Sequence, residues 1–385
     1  MFTMMPFGFL FIFILTSGSL LSISSIHWLS IWAGLEINLM GFIPILVYRG
    51  ITQEAESGMK YFIIQALGSG MIMLGSLVSF NASLSWEVML TNSPYGGLLL
   101  IFTGLMLKLG SFPFHFWLPS VMAGLSWVSC LILTTWQKLA PVFLLASMLQ
   151  GWLMQTTLMP AMILLASMSA LVGGIGGLNQ TQVRALLAYS SIGHVGWMIF
   201  CSTLTENVMK IYFLIYFIVS ICLFTVLWHM ENSLFSQIGS DYSAKSKSHE
   251  LILIFMLLSL SGMPPLLGFI GKWAAVWSSC YMYSPALLVP LLVGSLLSLF
   301  YYLSLLFSLL LFSGMTLTTK STSGGDLPPL ANEITPLSTY WANSTNIFNS
   351  SLQQPKMSLW ITSAFILNLV GGSLISMSLP LTEFL

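Results

Sequence analysis

Residues 108 to 138 read KLGSFPFHFWLPSVMAGLSWVSCLILTTWQK. Lys108 stands before a proline break, and Lys138 lies deep in the apolar run that follows it. An apolar run of membrane length forms a helix, because lipid offers the backbone no hydrogen-bond partner. Pro113 and Pro119 interrupt that helix, since proline has no N–H and clashes with the preceding turn. The backbone groups freed there need protein or water as partners, so the break implies a buried, hydrated neighbourhood. A lysine at the centre of a span costs roughly 2.5 to 3.5 kcal/mol on insertion scales. Two such lysines around one break point to a function.

The surrounding composition sets the frame. Of 385 residues, 56% are hydrophobic and 6% charged, with a net charge of zero; the mean hydropathy is +0.91. Such a chain is an all-α integral membrane protein. Eleven basic residues balance eleven acidic ones, and no Lys/Arg cluster interleaves with aromatics, which excludes nucleic acid as a partner. Cys130, Cys201, Cys222 and Cys280 stand singly, without ligand spacing, so neither a zinc nor an iron–sulfur site is expected. The run GGIGGL at 173–178 ends a hydrophobic helix outside any βαβ context. It reads as close helix packing rather than a nucleotide loop. Residues 1–5 carry no basic residue and the apolar run from Pro6 is long enough to span, so insertion from the first helix is expected.

At about 20 apolar residues per span, the chain reads as about eleven transmembrane helices. They run near residues 6–26, 27–48, 60–80, 96–119, 125–149, 158–178, 185–204, 208–229, 251–273, 285–312 and 359–380. The linker RGITQEAESGM separates the second and third. The ninth is broken like the fourth: LILIFMLLSLSG leads to MPPLLGFIGKW, with Lys272 beyond a double proline. Two broken helices five apart suggest two inverted five-helix repeats plus one C-terminal helix, an architecture that places ion sites near the midplane. The expected units are a first half, 1–150, a second half, 151–312, a polar loop, 313–357, and a terminal helix, 358–385. In the tenth helix nothing matches Lys138; Tyr301 and Tyr302 are the only large polar candidates. With the N-terminus on the same side as the loops after even-numbered helices, that side collects Arg49, Lys60, Arg184, Lys245, Lys247, Lys320 and Lys356. The other side collects Lys210 alone, so the N-terminus is expected on the positive side and the C-terminus opposite.

Five titratable residues fall within spans: Glu36, Lys108, Lys138, His194 and Lys272. Left in lipid, the four formal charges would cost on the order of 10 kcal/mol, so they must face protein or water. Lys60, Arg184 and Lys210 lie near helix ends and are expected to snorkel. Pairing alone does not account for the rest, because one buried acid cannot neutralise three buried lysines. A desolvated lysine sheds its proton more readily than one in water, and a nearby carboxylate restores it. Glu36 beside one member of a lysine series would then act as a switch. His194, in YSSIGHVGW, is suited to pass protons between lysines. His115, in PFHFW beside the break, is a candidate for lining or gating a water path.

These segments carry a resemblance. WAGLEINLMGFIPIL around Glu36, LKLGSFPFHFWLP around Lys108 and WQKLAP around Lys138 are three of its motifs. GLNQTQVRALLAYSSIGHVGW around His194 and MPPLLGFIGKW around Lys272 are two more. Together they resemble the subunit 2 family among the antiporter-like membrane subunits of mitochondrial respiratory complex I (NADH:ubiquinone oxidoreductase), over about residues 27 to 283. The resemblance implies proton translocation by Glu36 as charge partner of Lys108, Lys138 as central lysine, His194 as lateral relay and Lys272 as exit-side group. It implies a multi-pass protein of the mitochondrial inner membrane, N-terminus in the matrix and C-terminus facing the intermembrane space. Lipids, antiporter-like subunit 4 and small membrane subunits would be its neighbours. NADH, FMN, iron–sulfur clusters and ubiquinone would belong to partner subunits, with no cofactor in this chain. Many relatives carry an acid after the FHFWxP motif where Ser120 stands, and 313–355 is longer than the family leads one to expect. An autonomous cation/proton antiporter, or a structural subunit that has lost pumping, would use the same scaffold.

Overall fold

The computed structural model describes residues 7–83, 95–149, 159–230, 244–280, 288–322, 362–363 and 365–373. Among them the ordered elements are helical. The first half comprises α1 (Gly8–Ser24), α2 (Trp28–Val47), α3 (Thr52–Ser83), α4 (Tyr95–Leu109), α5 (Trp117–Gly124), α6 (Trp127–Thr134) and α7 (Trp136–Leu149). The second comprises α8 (Met159–Gly177), α9 (Val183–Leu204), α10 (Glu206–Met230), α11 (Ala244–Ser261), α12 (Leu267–Ser279) and α13 (Leu288–Thr322). A further helical stretch covers 365–373. Among the described residues seven helical stretches are long and apolar enough to cross a membrane, one of them α6 and α7 taken together as Trp127–Leu149, and 8–24, 96–109 and 251–261 are shorter apolar ones.

Three expectations need correction. The third helix begins at Thr52 rather than Lys60. TQEAES contains no proline, puts Glu54 in the first turn where the helix dipole favours an acid, and ties Glu56 to Lys60 at 2.7 Å. The tenth helix continues to Thr322, through the first residues assigned to the polar loop; the next proline comes only at 328. The fifth span, read as continuous, parts into α6 and α7 at Thr135, three residues before Lys138. Three side-chain hydroxyl bonds crowd that turn: Thr134 Oγ1 donates to the carbonyls of Cys130 and Leu131, and Thr135 Oγ1 to Leu131. Such back-bonding competes with the helix ladder and bends it. The polar stretch beyond residue 322 lies outside the described residues.

The two proline breaks are built alike. At the first, Gly110 (φ 70°) ends α4, and the Ser111 N–H donates to the Met106 carbonyl across the last turn. At the second, Gly262 (φ 81°) follows α11, and the Met263 N–H donates to the Leu258 carbonyl in the same register. This is the six-to-one cap that a left-handed glycine makes possible. Each is followed by a cis X–Pro bond, Phe112–Pro113 and Pro264–Pro265, and by a second half-helix, α5 or α12. Packing corresponds as well. α1 lies on α2, α2 on α3, α3 on both α4 and α5, and α1 and α4 on α7. Likewise α8 lies on α9, α9 on α10, α10 on both α11 and α12, and α8 and α11 on α13. The halves meet where α9 packs on α5 and α7 and where α10 packs on α6.

Candidate functional site

Lys138 is the best enclosed of the intramembrane lysines, 2% exposed. Its ammonium donates to the Ser191 carbonyl of α9 at 3.2 Å and sits 5.6 Å from the centre of the Tyr216 ring of α10. The start of α7 is fixed from several sides. Gln137 and Asn38 of α2 exchange amide hydrogen bonds at 2.9 and 3.1 Å, and the Trp136 indole donates to Ser19 of α1 at 3.1 Å. With both neighbours tied to the first hairpin, Lys138 is directed across the interface between the halves.

His194 lies three residues after Ser191, hence on the same face of α9. Its Nδ1 and the Tyr212 hydroxyl are 2.9 Å apart, and its ring centre is 5.0 Å from that of Tyr216. Tyr216 therefore lies against both Lys138 and His194. Lys272, on α12, reaches back to the second break, where its ammonium donates to the Ser261 carbonyl at 2.7 Å. That carbonyl ends α11, one of the groups a broken helix leaves without a ladder partner. Lys272 and His194 both line a small cavity, about 20 Å³ open to the centre of a water, bounded by α8, α9, α12 and α13. A second, about 10 Å³, lies on the other side of His194, between α10 and the second break.

The structure thus brings Lys138, His194 and Lys272 into one cluster. Lys108 is buried but stands apart from it, its stem running over Gly68 of α3. At the first break the indole of Trp117 satisfies the Leu107 carbonyl at 3.2 Å and the Gln65 amide reaches the Lys108 carbonyl at 3.4 Å. The corresponding task at the second break falls to Lys272 itself. Glu36 is half-buried on α2; its Oε1 is enclosed and makes no hydrogen bond. Among the described residues neither Lys108, Lys138 nor Lys272 has a carboxylate within 4 Å. His115 sits in the first break, 7% exposed, its ring 4.0 Å from that of Phe116, with a buried Nδ1 that has no partner.

Among the charges expected to snorkel, Lys60 and Lys210 lie exposed in pairs with Glu56 and Glu206. Arg184, half-buried at the start of α9, lies over the Trp127 ring at 5.2 Å, and its guanidinium donates to the carbonyls of Leu125 and Ala123, which the break before α6 leaves in need of donors. Sequence reading missed Tyr212 and Tyr216. Their spacing of four on α10, beside a histidine-bearing helix, was the available signal, but aromatic residues at that spacing are ordinary in a membrane core.

Comparison with known proteins follows the same lines. The family described as NADH:quinone oxidoreductase/Mrp antiporter, TM, matches residues 25–298, a range that holds all five titratable residues. The NADH-ubiquinone oxidoreductase chain 2 of Lumbricus terrestris is 40% identical over 295 residues, covering 76% of this chain and 84% of that protein. That of Xenopus laevis is 37% identical over 310 residues, covering 80% and 87%. Among solved structures, one chain of respiratory complex I from Thermus thermophilus with bound aureothin superposes with a TM-score of 0.75 at 25% identity. The match covers 97% of this chain and 79% of that one. A chain of the Mrp complex from a Dietzia species superposes with a TM-score of 0.71 at 15% identity, over 77% and 59% of the two chains, a likeness of fold alone.

Proposed function

The chain belongs to the NADH:quinone oxidoreductase/Mrp antiporter family, and from that premise we propose how its buried charges move protons. It is a proton-translocating membrane-arm subunit of an NADH:ubiquinone oxidoreductase, a multi-pass protein of the mitochondrial inner membrane. NADH, FMN, iron–sulfur clusters and ubiquinone belong to other subunits of the assembly, and this chain contributes no redox centre. Neighbouring antiporter-like and small membrane subunits, with lipid, cover its sides.

The observation that carries the mechanism is the enclosed Lys138 ammonium, bound to a helix carbonyl beside His194 and without a carboxylate within 4 Å. A charge held only by dipoles and a π face is held weakly enough to be released. Lys138 loads from the side of Lys108, whose charge is biased by Glu36 through space. Discharge of Lys138 passes its proton by way of His194 toward Lys272 at the second break, the exit-side group. His115 lines the water path at the first break. The resting protonation of each group is set by its neighbours, so a charge change in an adjacent subunit resets the series.

The two halves, α1–α7 and α8–α13, are inverted repeats of five spans, followed by one terminal helix, eleven spans in all. The matching caps and the matching packing pairs support this reading, and an odd number of spans per repeat gives the inversion. The N-terminus then faces the matrix and the C-terminus the intermembrane space.

The test is the proton stoichiometry of the intact assembly in sealed vesicles. Lys138→Met and Glu36→Gln are expected to lower protons moved per NADH oxidised while assembly proceeds. Unchanged stoichiometry in both variants would leave the chain a structural subunit. Proton or cation exchange by the isolated chain would instead make it an autonomous antiporter.

A further inference from the structure

The small cavity between His194 and Lys272 has two features that the path above does not use. The first is Tyr301 of α13. Its hydroxyl is buried, near those of Ser298 and Tyr302, yet it forms with neither a hydrogen bond of acceptable geometry. A buried hydroxyl without a partner is costly, and such groups are regularly satisfied by an internal water. The second is Gly193. Every other glycine that lines this cavity, Gly173, Gly174 and Gly294, presses on a neighbouring backbone within 3 Å of where a methyl would stand. At Gly193 a methyl would meet nothing within 4 Å. The close-packed glycines bring α8, α9 and α13 together, and Gly193 leaves the gap open in the middle.

The space is about 20 Å³, just above the 10 to 15 Å³ that one water needs. Ser190, His194, Ser298, Tyr301 and Lys272 border it, more than the two to four polar partners that hold a buried water. Ser190 and Ser298 already donate within their own helices, Ser190 Oγ to the Leu187 carbonyl at 2.8 Å and Ser298 Oγ to the Ser295 carbonyl at 2.7 Å, so each offers the water its lone pairs.

We propose that this cavity is a water-binding site in which Tyr301 holds a single water between His194 and Lys272, and that Gly193 is the residue that keeps room for it. This rests on the proton-transfer reading above and names the bridge within it. In the transfer, the His194 imidazolium gives one proton to the water as the water gives another to the neutral Lys272 amine. The water ends unchanged; His194 becomes neutral and Lys272 an ammonium. Tyr301 keeps its own proton and acts as a positioning residue, orienting the water by a hydrogen bond. Tyr301 on the tenth span thus stands in the place that Lys138 holds on the fifth, by supporting a proton carrier rather than being one.

Three variants of the intact complex test this, with Gly70→Ala as control. Gly70 is an exposed helical glycine that also has open space at Cβ. Gly193→Ala, which adds a methyl without a clash, and Tyr301→Phe, which removes one oxygen, are both expected to assemble. Each should cut protons pumped per NADH at least twofold, with a changed solvent deuterium isotope effect on the residual pumping. Gly70→Ala should leave both measures as in the wild type. Wild-type density at water-resolving resolution should hold a water within hydrogen-bond distance of the Tyr301 hydroxyl, and Gly193→Ala should lack it. A dry wild-type cavity overturns the proposal even if the variants fail to assemble. So does normal pumping by Gly193→Ala and Tyr301→Phe in a complex that Lys272→Ala disables. Normal pumping by Lys272→Ala would instead overturn the underlying path.

Discussion

Tyr212 and Tyr216 form the immediate surroundings of the His194 ring. Tyr212 meets the Nδ1 at 2.9 Å, and Tyr216 lies between the imidazole and the Lys138 ammonium. Removing the hydroxyl in Tyr212→Phe leaves that ring nitrogen buried without its partner. Polar pairs between membrane helices are worth about 0.6 kcal/mol on average and at most about 1.7, so the complex is expected to assemble. The pH profile of pumping should shift while NADH oxidation by an uncoupled complex stays as it was; an unshifted profile would remove Tyr212 from the path. Tyr216→Leu should do more, taking away the π face under Lys138 and the wall of His194 together, whereas Tyr216→Phe should retain most of the activity. All five titratable residues were legible in the sequence, because a charge in a membrane run announces its own cost. The tyrosines were not, since nothing in a one-dimensional pattern tells an aromatic residue that packs on lipid from one that packs on an ammonium.

The breaks are the elements where sequence and structure agree furthest. Proline told where the fourth and ninth spans must open, but not how the freed carbonyls are satisfied, which is tertiary: Trp117 and Gln65 serve the first break, Lys272 the second. The gap at Thr135 carries no proline and was hidden for that reason. Gly262 joins backbone and site. Its φ of 81° is strained for any residue with a Cβ, roughly 1–2 kcal/mol, and a methyl there would stand 2.8 Å from the Lys272 side chain. Gly262→Ala is therefore expected to push Lys272 off the Ser261 carbonyl, lowering both the thermal stability of the complex and its pumping. Gly50→Ala, at φ 67° with open space, should show the strain without the pumping defect. The second break has an added support in Asn368, whose Oδ1 accepts from the Leu267 N–H at the start of α12 at 3.2 Å. Loss of such a cap costs about 1 kcal/mol, so Asn368→Ala should reduce stability by that order, measured as the complex's melting temperature, and loosen Lys272 less than Gly262→Ala does.

At the scale of the molecule, loop charge gives an expected side to each end of the helices. A polar cavity of about 280 Å³ joins Arg49, Glu54, Gly124, Trp127, Arg184 and Trp228, which come from the end of α2, the start of α3, the α5–α6 turn, the start of α9 and the end of α10. Each of these lies where a loop after an even-numbered span belongs, so four separate chain segments that loop counting assigns to one face meet at one place. The face can be measured through α9, which runs from Val183 to Leu204 as 22 residues, about 33 Å at 1.5 Å per residue, enough to cross a hydrocarbon core of about 30 Å. Gln182 and Thr205, exposed at its two ends, must then lie on opposite sides. In a background that carries Cys280→Ser, since Cys280 is the exposed native thiol among the described residues, Thr205→Cys should react with an impermeant maleimide in mitoplasts. Gln182→Cys should react only in inside-out particles. The opposite pattern would invert the whole assignment, placing the arginine-lined end in the intermembrane space against the charge bias that insertion imposes on short loops. Labelling of both from one side would mean that α9 does not span, and the pairing of Lys138 with the Ser191 carbonyl could not then lie at the membrane's centre.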